Sequence, residues 1–300
     1  MTNVIIGAIA LGLLWSLLTI GVYISFRVLT IPDLTVEGSI VLGAATASVL
    51  IISGVDPYVA LGAAFIAGVM AGTVTGLLHT KLHIPALLSG ILCMIALYSI
   101  NIRVMGTANI SLLRMETVFT PVMELGFARN PSTIIMGSVF VLLAIVVIYW
   151  FFSTEIGNAV RATGSNPQMA KAQGINTDTA KITGLAIGNG LVGLSGGLIA
   201  QYVGFSDVQM GVGAIVIGLA ALIIGEVLFG KTHFFRTLIA LVLGTITYYI
   251  VIALVLEAGM RATDLKLFTA ATVALALYLP HIKSKFDSIM KRKKGGMPRA

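Results

Sequence analysis

The sequence predicts an all-α polytopic membrane bundle of about nine transmembrane helices, and three observations lead there. The 300 residues are 57% hydrophobic and only 10% charged, whereas soluble domains carry roughly 25% charged residues. The apolar residues fall into successive runs, each near the ~20 residues that cross a bilayer as a helix. Most connections between the runs are short, so the spans form one domain over 1–282, with a basic tail over 283–300. Isolated strands are excluded as spanning elements, because their backbone groups would stay unpaired in hydrocarbon.

The expected spans lie near 4–26, 36–54, 57–78, 84–105, 132–152, 182–203, 211–229, 235–256 and 263–281. The first begins at about Val4 with no basic residue before it, which argues against a cleaved signal peptide. After it comes Leu29-Thr30-Ile31-Pro32-Asp33, matched later by Leu82-His83-Ile84-Pro85-Ala86. Each precedes an apolar run, a pattern that suits proline in a first helical turn and a helix broken near a site. In the first copy Thr30 is placed to cap and Asp33 to cap back. Asp33 and Glu37, one helical turn apart on one face, are either capping groups or charge sites. Gly68, Gly72 and Gly76, then Gly184/Gly188 and Gly193/Gly197, repeat at helical spacing and predict close packing between helices of this chain. Asn101, Asn189 and Gln201 are uncharged amides inside apolar runs; they line a pathway or bond between helices. The single cysteine, Cys93, has no intrachain disulfide partner and reads as a packed small residue.

Gly225 to Thr232 fits G-x-x-x-x-G-K-[ST] letter for letter. A phosphate-binding loop follows a buried strand and opens a helix. Here the match follows the apolar run Ala220-Ala221-Leu222-Ile223-Ile224 and contains Val227, Leu228 and Phe229. It reads as a false match in a turn between spans, where Lys231, His233 and Arg236 suit anionic headgroups or a partner surface. The four histidines have no metal-ligand spacing, and nothing calls for a metal, another cofactor or nucleic acid.

Basic residues set the orientation. With the tail in the cytoplasm and nine alternating spans, fourteen of the 19 Lys and Arg residues fall inside, including Arg27, Lys81, Arg161, Lys171, Lys181, Lys231, Arg236 and seven in the tail. Five fall outside or near the outer end: Arg103, Arg114, Arg129, Arg261 and Lys266. Positive charge stays inside, so the N-terminus is expected outside and the net charge of +7 follows topology.

The cytoplasmic loop 153–181 carries a compact helix signal over 166–173. Asn166 is an N-cap, Pro167 takes the first helical position, and Gly174 ends the helix in the left-handed conformation. Two turns are too short to persist alone in water, so a partner surface is expected. The alternative, a helix lying in the lipid interface, has only Met169, Ala170 and Ala172 to insert.

At Arg161-Ala162-Thr163-Gly164-Ser165-Asn166-Pro167, with Ala170, Ala172 and Gly174-Ile175, the chain resembles the coupling loop of permeases in the branched-chain amino acid and ribose group of ABC importers. Pro32 to Ser39 with Leu42-Gly43-Ala44 resembles the early broken helix of that family, and Ile215 to Glu226 its late glycine-containing helix. The resemblance spans roughly 10 to 280. It implies a non-enzymatic subunit of a bacterial plasma-membrane importer, paired with a second permease as a homodimer or pseudo-dimer. It further implies two cytoplasmic ATPase subunits, an external binding protein, and docking of residues near 161–175 into the ATPase. Several members carry an additional N-terminal span, which this chain is expected to lack. The Val36-Glu37-Gly38-Ser39 run resembles a subgroup associated with amino acids, including aromatic ones. Sugar or nucleoside import by the same architecture remains open. So does a self-sufficient secondary transporter coupled through Asp33 and Glu37, although the dense acid and base set of a proton-coupled carrier is missing.

Overall fold

The structure is a computed structural model that describes residues 2–230 and 232–259, together with 264, 267, 268, 270 and 271. Eleven helices are described: α1 (Thr2–Tyr23), α2 (Thr35–Ile52), α3 (Pro57–Thr80), α4 (Ala86–Met105), α5 (Thr120–Glu124), α6 (Arg129–Ser153), α7 (Glu155–Ser165), α8 (Pro167–Ala172), α9 (Thr177–Val203), α10 (Ala214–Phe229) and α11 (Phe234–Glu257). A π turn, Ile24–Val28, continues α1. Seven helical segments are long and apolar enough to span a bilayer, and α10 is a shorter eighth. The expected span 263–281 and the tail fall outside the described residues, apart from the five isolated positions named above.

The long helix α9 is the axle of the bundle. It packs against α3, α2 and α1, while α10 and α11 pack on the other side of α1. The approach is close because glycines meet backbone. A Cβ at Gly68 or Gly72 would collide with the carbonyls of Asn189 and Leu185 on α9, and one at Gly43 with Gly193. The small-residue stripes therefore serve packing within this chain, as their spacing predicts. Helices α4 and α6 sit at the periphery and expose long apolar faces, among them Leu92 and Ile95, and Leu142 and Val146.

Contacts between the connections define two ends. At one, Thr30 bonds the carbonyl of Gly164, Lys81 pairs with Asp178 at 3.4 Å, and the Arg161 guanidinium lies 5.2 Å over the Phe234 ring. At the other, β1 (Asn109–Ser111) pairs antiparallel with β2 (Phe205–Asp207), and Arg129 bonds the carbonyl of Tyr202. Arg27, Lys81, Arg161, Lys171, Lys181 and Arg236 gather at the first end, Arg103, Arg114 and Arg129 at the second.

Several points depart from expectation. α9 starts five residues before 182, because Asn176 accepts from the Asp178 and Thr179 N–H groups and extends the helix beyond its apolar stretch. α10 starts at Ala214 rather than 211, since Gly213 adopts φ +87° and the Gly211 backbone lies against the carbonyl of Glu37. The loop 153–181 contains a further helix, α7, besides the expected short one.

Candidate functional site

The chain breaks twice in the same way. Thr30 and His83 both have positive φ, 57° and 56°, which is uncommon for residues other than glycine. Around the first, Leu29 N–H bonds Ile24 O at 3.0 Å and Ile31 N–H bonds Ser25 O at 2.9 Å. Around the second, Leu82 N–H bonds Leu77 O at 3.3 Å and Ile84 N–H bonds Leu78 O at 3.2 Å. The two Leu-x-Ile-Pro segments are thus one backbone device used twice at one end of the bundle. The capping box does not form. Thr30 turns its hydroxyl to the carbonyls of Leu29 and Gly164, and its left-handed backbone removes it from the helix start. Asp33 takes the role instead, its Oδ1 accepting from Thr35 N–H at 2.9 Å in the first turn of α2.

Asp33 is 2% exposed. Its Oδ2 accepts from Asn189 Nδ2 at 2.6 Å, and Asn189 Oδ1 accepts from Ser39 at 2.7 Å. Thr35 and Thr75 share a 2.7 Å hydroxyl bond beside it. Asn189 is the thirteenth of the 27 residues of α9, so this cluster sits at mid-depth. A carboxyl group there is tolerated because each of its oxygens meets a protein hydrogen-bonding group, Thr35 N–H or the Asn189 amide.

Glu37 does not share Asp33's face. It is half-buried on the far side of the break, and its Oε1 accepts from Gly213 N–H at 3.1 Å, where α10 begins. Asn101 is 1% exposed and donates to the carbonyl of Gly38 at 3.2 Å. Glu37, Gly38 and Asn101 line an open groove of about 520 Å³ with Tyr98, Ser99 and Gly211. Two pairs of candidate residues are therefore brought together, Asp33 with Asn189 and Glu37 with Asn101. Gln201 stands apart near the opposite end, accepting from Val118 N–H at 2.9 Å and holding the 106–128 connection. The 208–213 turn, Tyr98 and Ser99 were not singled out from sequence; the closely spaced Gly211 and Gly213 were the available signal.

The basic end carries the predicted short helix. α8 begins with Pro167 behind Asn166, whose side chain accepts from Met169 N–H at 3.0 Å, and Gly174 follows at φ +80°. Gln168, Met169, Lys171 and Ala172 are exposed, but Ala170 is 3% exposed and packs inward, so it is not part of an outward knob. Met169 is the side chain this helix presents, at 62% exposure. Behind it, the Gly164 backbone of α7 touches the carbonyl of Val28 so closely that no Cβ would fit. The loop is thereby joined to the break that positions Asp33.

Residues Gly225 to Phe229 of the Walker-like match are the last turns of α10, with Gly225 packed against the backbone of Ala240. The pattern ends a helix where a phosphate loop would begin one. Glu226 in this stretch pairs with Arg27 at 2.5 Å. Lys231 lies outside the described residues.

Residues 4–278 match the family model described as branched-chain amino acid transport system / permease component. The chain belongs to that permease family. This permease is 40% identical over 269 residues to a tyrosine transport system permease protein of Clostridioides difficile (strain R20291), covering 90% of this chain and 88% of that one. An uncharacterised protein of Rickettsia prowazekii (strain Madrid E) is 33% identical, with 92% and 97% covered. A probable branched-chain amino acid transport permease protein, LivH, of Methanocaldococcus jannaschii is 25% identical, with 64% of each chain covered. Among solved structures, an inward-facing metal-chelate-type ABC transporter matches with a TM-score of 0.49 at 14% identity, covering 93% of the permease and 85% of that chain. By its family and its apolar helices, the permease is a multi-pass transport subunit of an ABC transporter.

Proposed function

We propose that this permease imports an amino acid, of the aromatic class, delivered by an external binding protein and driven by two separate cytoplasmic ATPase subunits. The basic end faces the cytoplasm, the N-terminus lies outside, and two copies of the chain form the pathway between them. The observation that carries this reading is the contact of Gly164 with Val28, reinforced by the Thr30–Gly164 bond. It ties the exposed α8 helix to the break at 29–34 and, through Asp33 and Asn189, to the middle of α9. A pull on α8 by a moving ATPase would be delivered to mid-depth rather than dissipated in a loop. The similarity to a tyrosine permease supports the cargo class. The excess of basic residues at the α8 end supports the orientation.

Reconstitution tests it. Permease, ATPase and binding protein in proteoliposomes should accumulate tyrosine or phenylalanine only with ATP, and omission of the ATPase should abolish uptake. Uptake by the permease alone, lost in Asp33→Asn or Glu37→Gln, would instead establish a secondary transporter.

A further inference from the structure

The groove at Glu37 and Asn101 is not needed by the packing just described, and its chemistry is one-sided. Asn101 donates its amide nitrogen to Gly38, which fixes the other atom, Oδ1, as an acceptor. That oxygen is fully buried and has no hydrogen-bond partner. Glu37 uses Oε1 on Gly213, and no partner engages Oε2 among the described residues. The two acceptors are linked through adjacent residues, because Asn101 is bonded to the residue after Glu37. The rest of the lining is mostly apolar or aromatic, with Val41, Met94, Ile95 and Tyr98 beside one hydroxyl, Ser99, while Gly38 and Gly211 lie against Leu97 and the carbonyl of Glu37. The volume of about 520 Å³ lies in the range of small-molecule sites.

We propose that this groove is a cargo site in the pathway, where Glu37 accepts from the primary ammonium group of an amino acid and the apolar wall with Tyr98 takes its side chain. This deepens the amino-acid reading and rests on it. An ammonium group has three donors and a positive charge, which a carboxylate meets. A sugar brings no charge, and an amine-free carboxylic acid would be repelled by Glu37. The groove thus adds selectivity for amines at the membrane step.

The test uses the assembled permease–ATPase complex in nanodiscs and saturation-transfer NMR with L-phenylalanine and with 3-phenylpropionate, which lacks the amine. L-Phenylalanine should give a signal that is lost in Glu37→Gln, and 3-phenylpropionate should give none. In parallel, ATP-driven uptake of L-phenylalanine should fall by about tenfold or more in Glu37→Gln, matching the loss of one charge-assisted contact, and in Tyr98→Ala. Glu37→Gln keeps an oxygen for Gly213 N–H, and the Tyr98 ring is half exposed, so neither change threatens the fold. Equal signals from the two ligands, or full uptake in both variants beside an active wild type, would overturn the site and leave amino-acid import standing. A wild-type complex that takes up no amino acid would overturn both.

Discussion

Asn189 is the residue on which the mid-depth cluster turns, since it accepts from Ser39 and donates to Asp33 and to the carbonyl of Leu185. Removing its amide strips one of the donors that replace water around a buried carboxylate. Asn189→Ala should therefore lower stability by about 1–3 kcal/mol, the cost of leaving a buried acceptor without its donor, read as thermal denaturation in detergent. Asp33→Asn should cost a comparable amount, because its amide oxygen still accepts from Thr35 N–H but its NH2 then faces the NH2 of Asn189. Equal melting of Asn189→Ala and wild type would show that water reaches Asp33. Both residues stood out in sequence as polar positions in apolar surroundings. Their pairing across 156 positions did not, because nothing local encodes which of several buried polar groups will meet. Thr30 failed as a cap for a different reason: its backbone is committed to the left-handed turn that ends the π segment.

Among the elements, α3 and α9 show how little room the spans leave each other. A side chain at Gly72 must enter the backbone of α9 at Leu185, while Gly62, on the same helix, faces open space. Gly72→Val should abolish the monodisperse folded peak in fluorescence-detected size exclusion, and Gly62→Val should leave it unchanged. α8 offers a second pair. Met169→Glu should preserve folding and reduce coupled uptake, since an unpaired charge buried at a docked interface costs several kcal/mol. Ala170→Glu should instead damage the permease itself, because Ala170 is already buried within the chain. Matched membrane expression with lost uptake for Met169→Glu, and lost expression for Ala170→Glu, is the expected result. α8 was legible because Asn166, Pro167 and Gly174 are end markers that act through the backbone. α7 was not, because Gly157 and Gly164 read as breakers. In the fold they are the points where α7 lies against Phe152 and Val28.

For the molecule as a whole, two exposed positions report on opposite ends: Met169 on α8, and Leu113 beside the β1–β2 pair. In a Cys93→Ser background, cysteine at 169 should be labelled by a membrane-impermeant maleimide only from the cytoplasm, and cysteine at 113 only from outside. Labelling of both from one face would dismantle the topology. The spans were legible because hydrocarbon demands long apolar runs, and eight of the nine expected runs are helices among the described residues. The turn at 208–213 was hidden for the converse reason. It is a short stretch of irregular backbone held to α2 by Glu37 and by the close seat of Gly211, which leaves no mark on hydropathy.

The fit of glycine against carbonyl along α2, α3 and α9 has a mechanical consequence. Helices in backbone contact cannot slide by a fraction of a turn without collision, so these three are stiff with respect to one another. Any cycle of opening and closing must then be accommodated elsewhere, as at the peripheral α6. The glycine-lined block behaves as a beam: force applied at its basic end tilts the whole length, and a small displacement at α8 reappears at the far rim as a rotation.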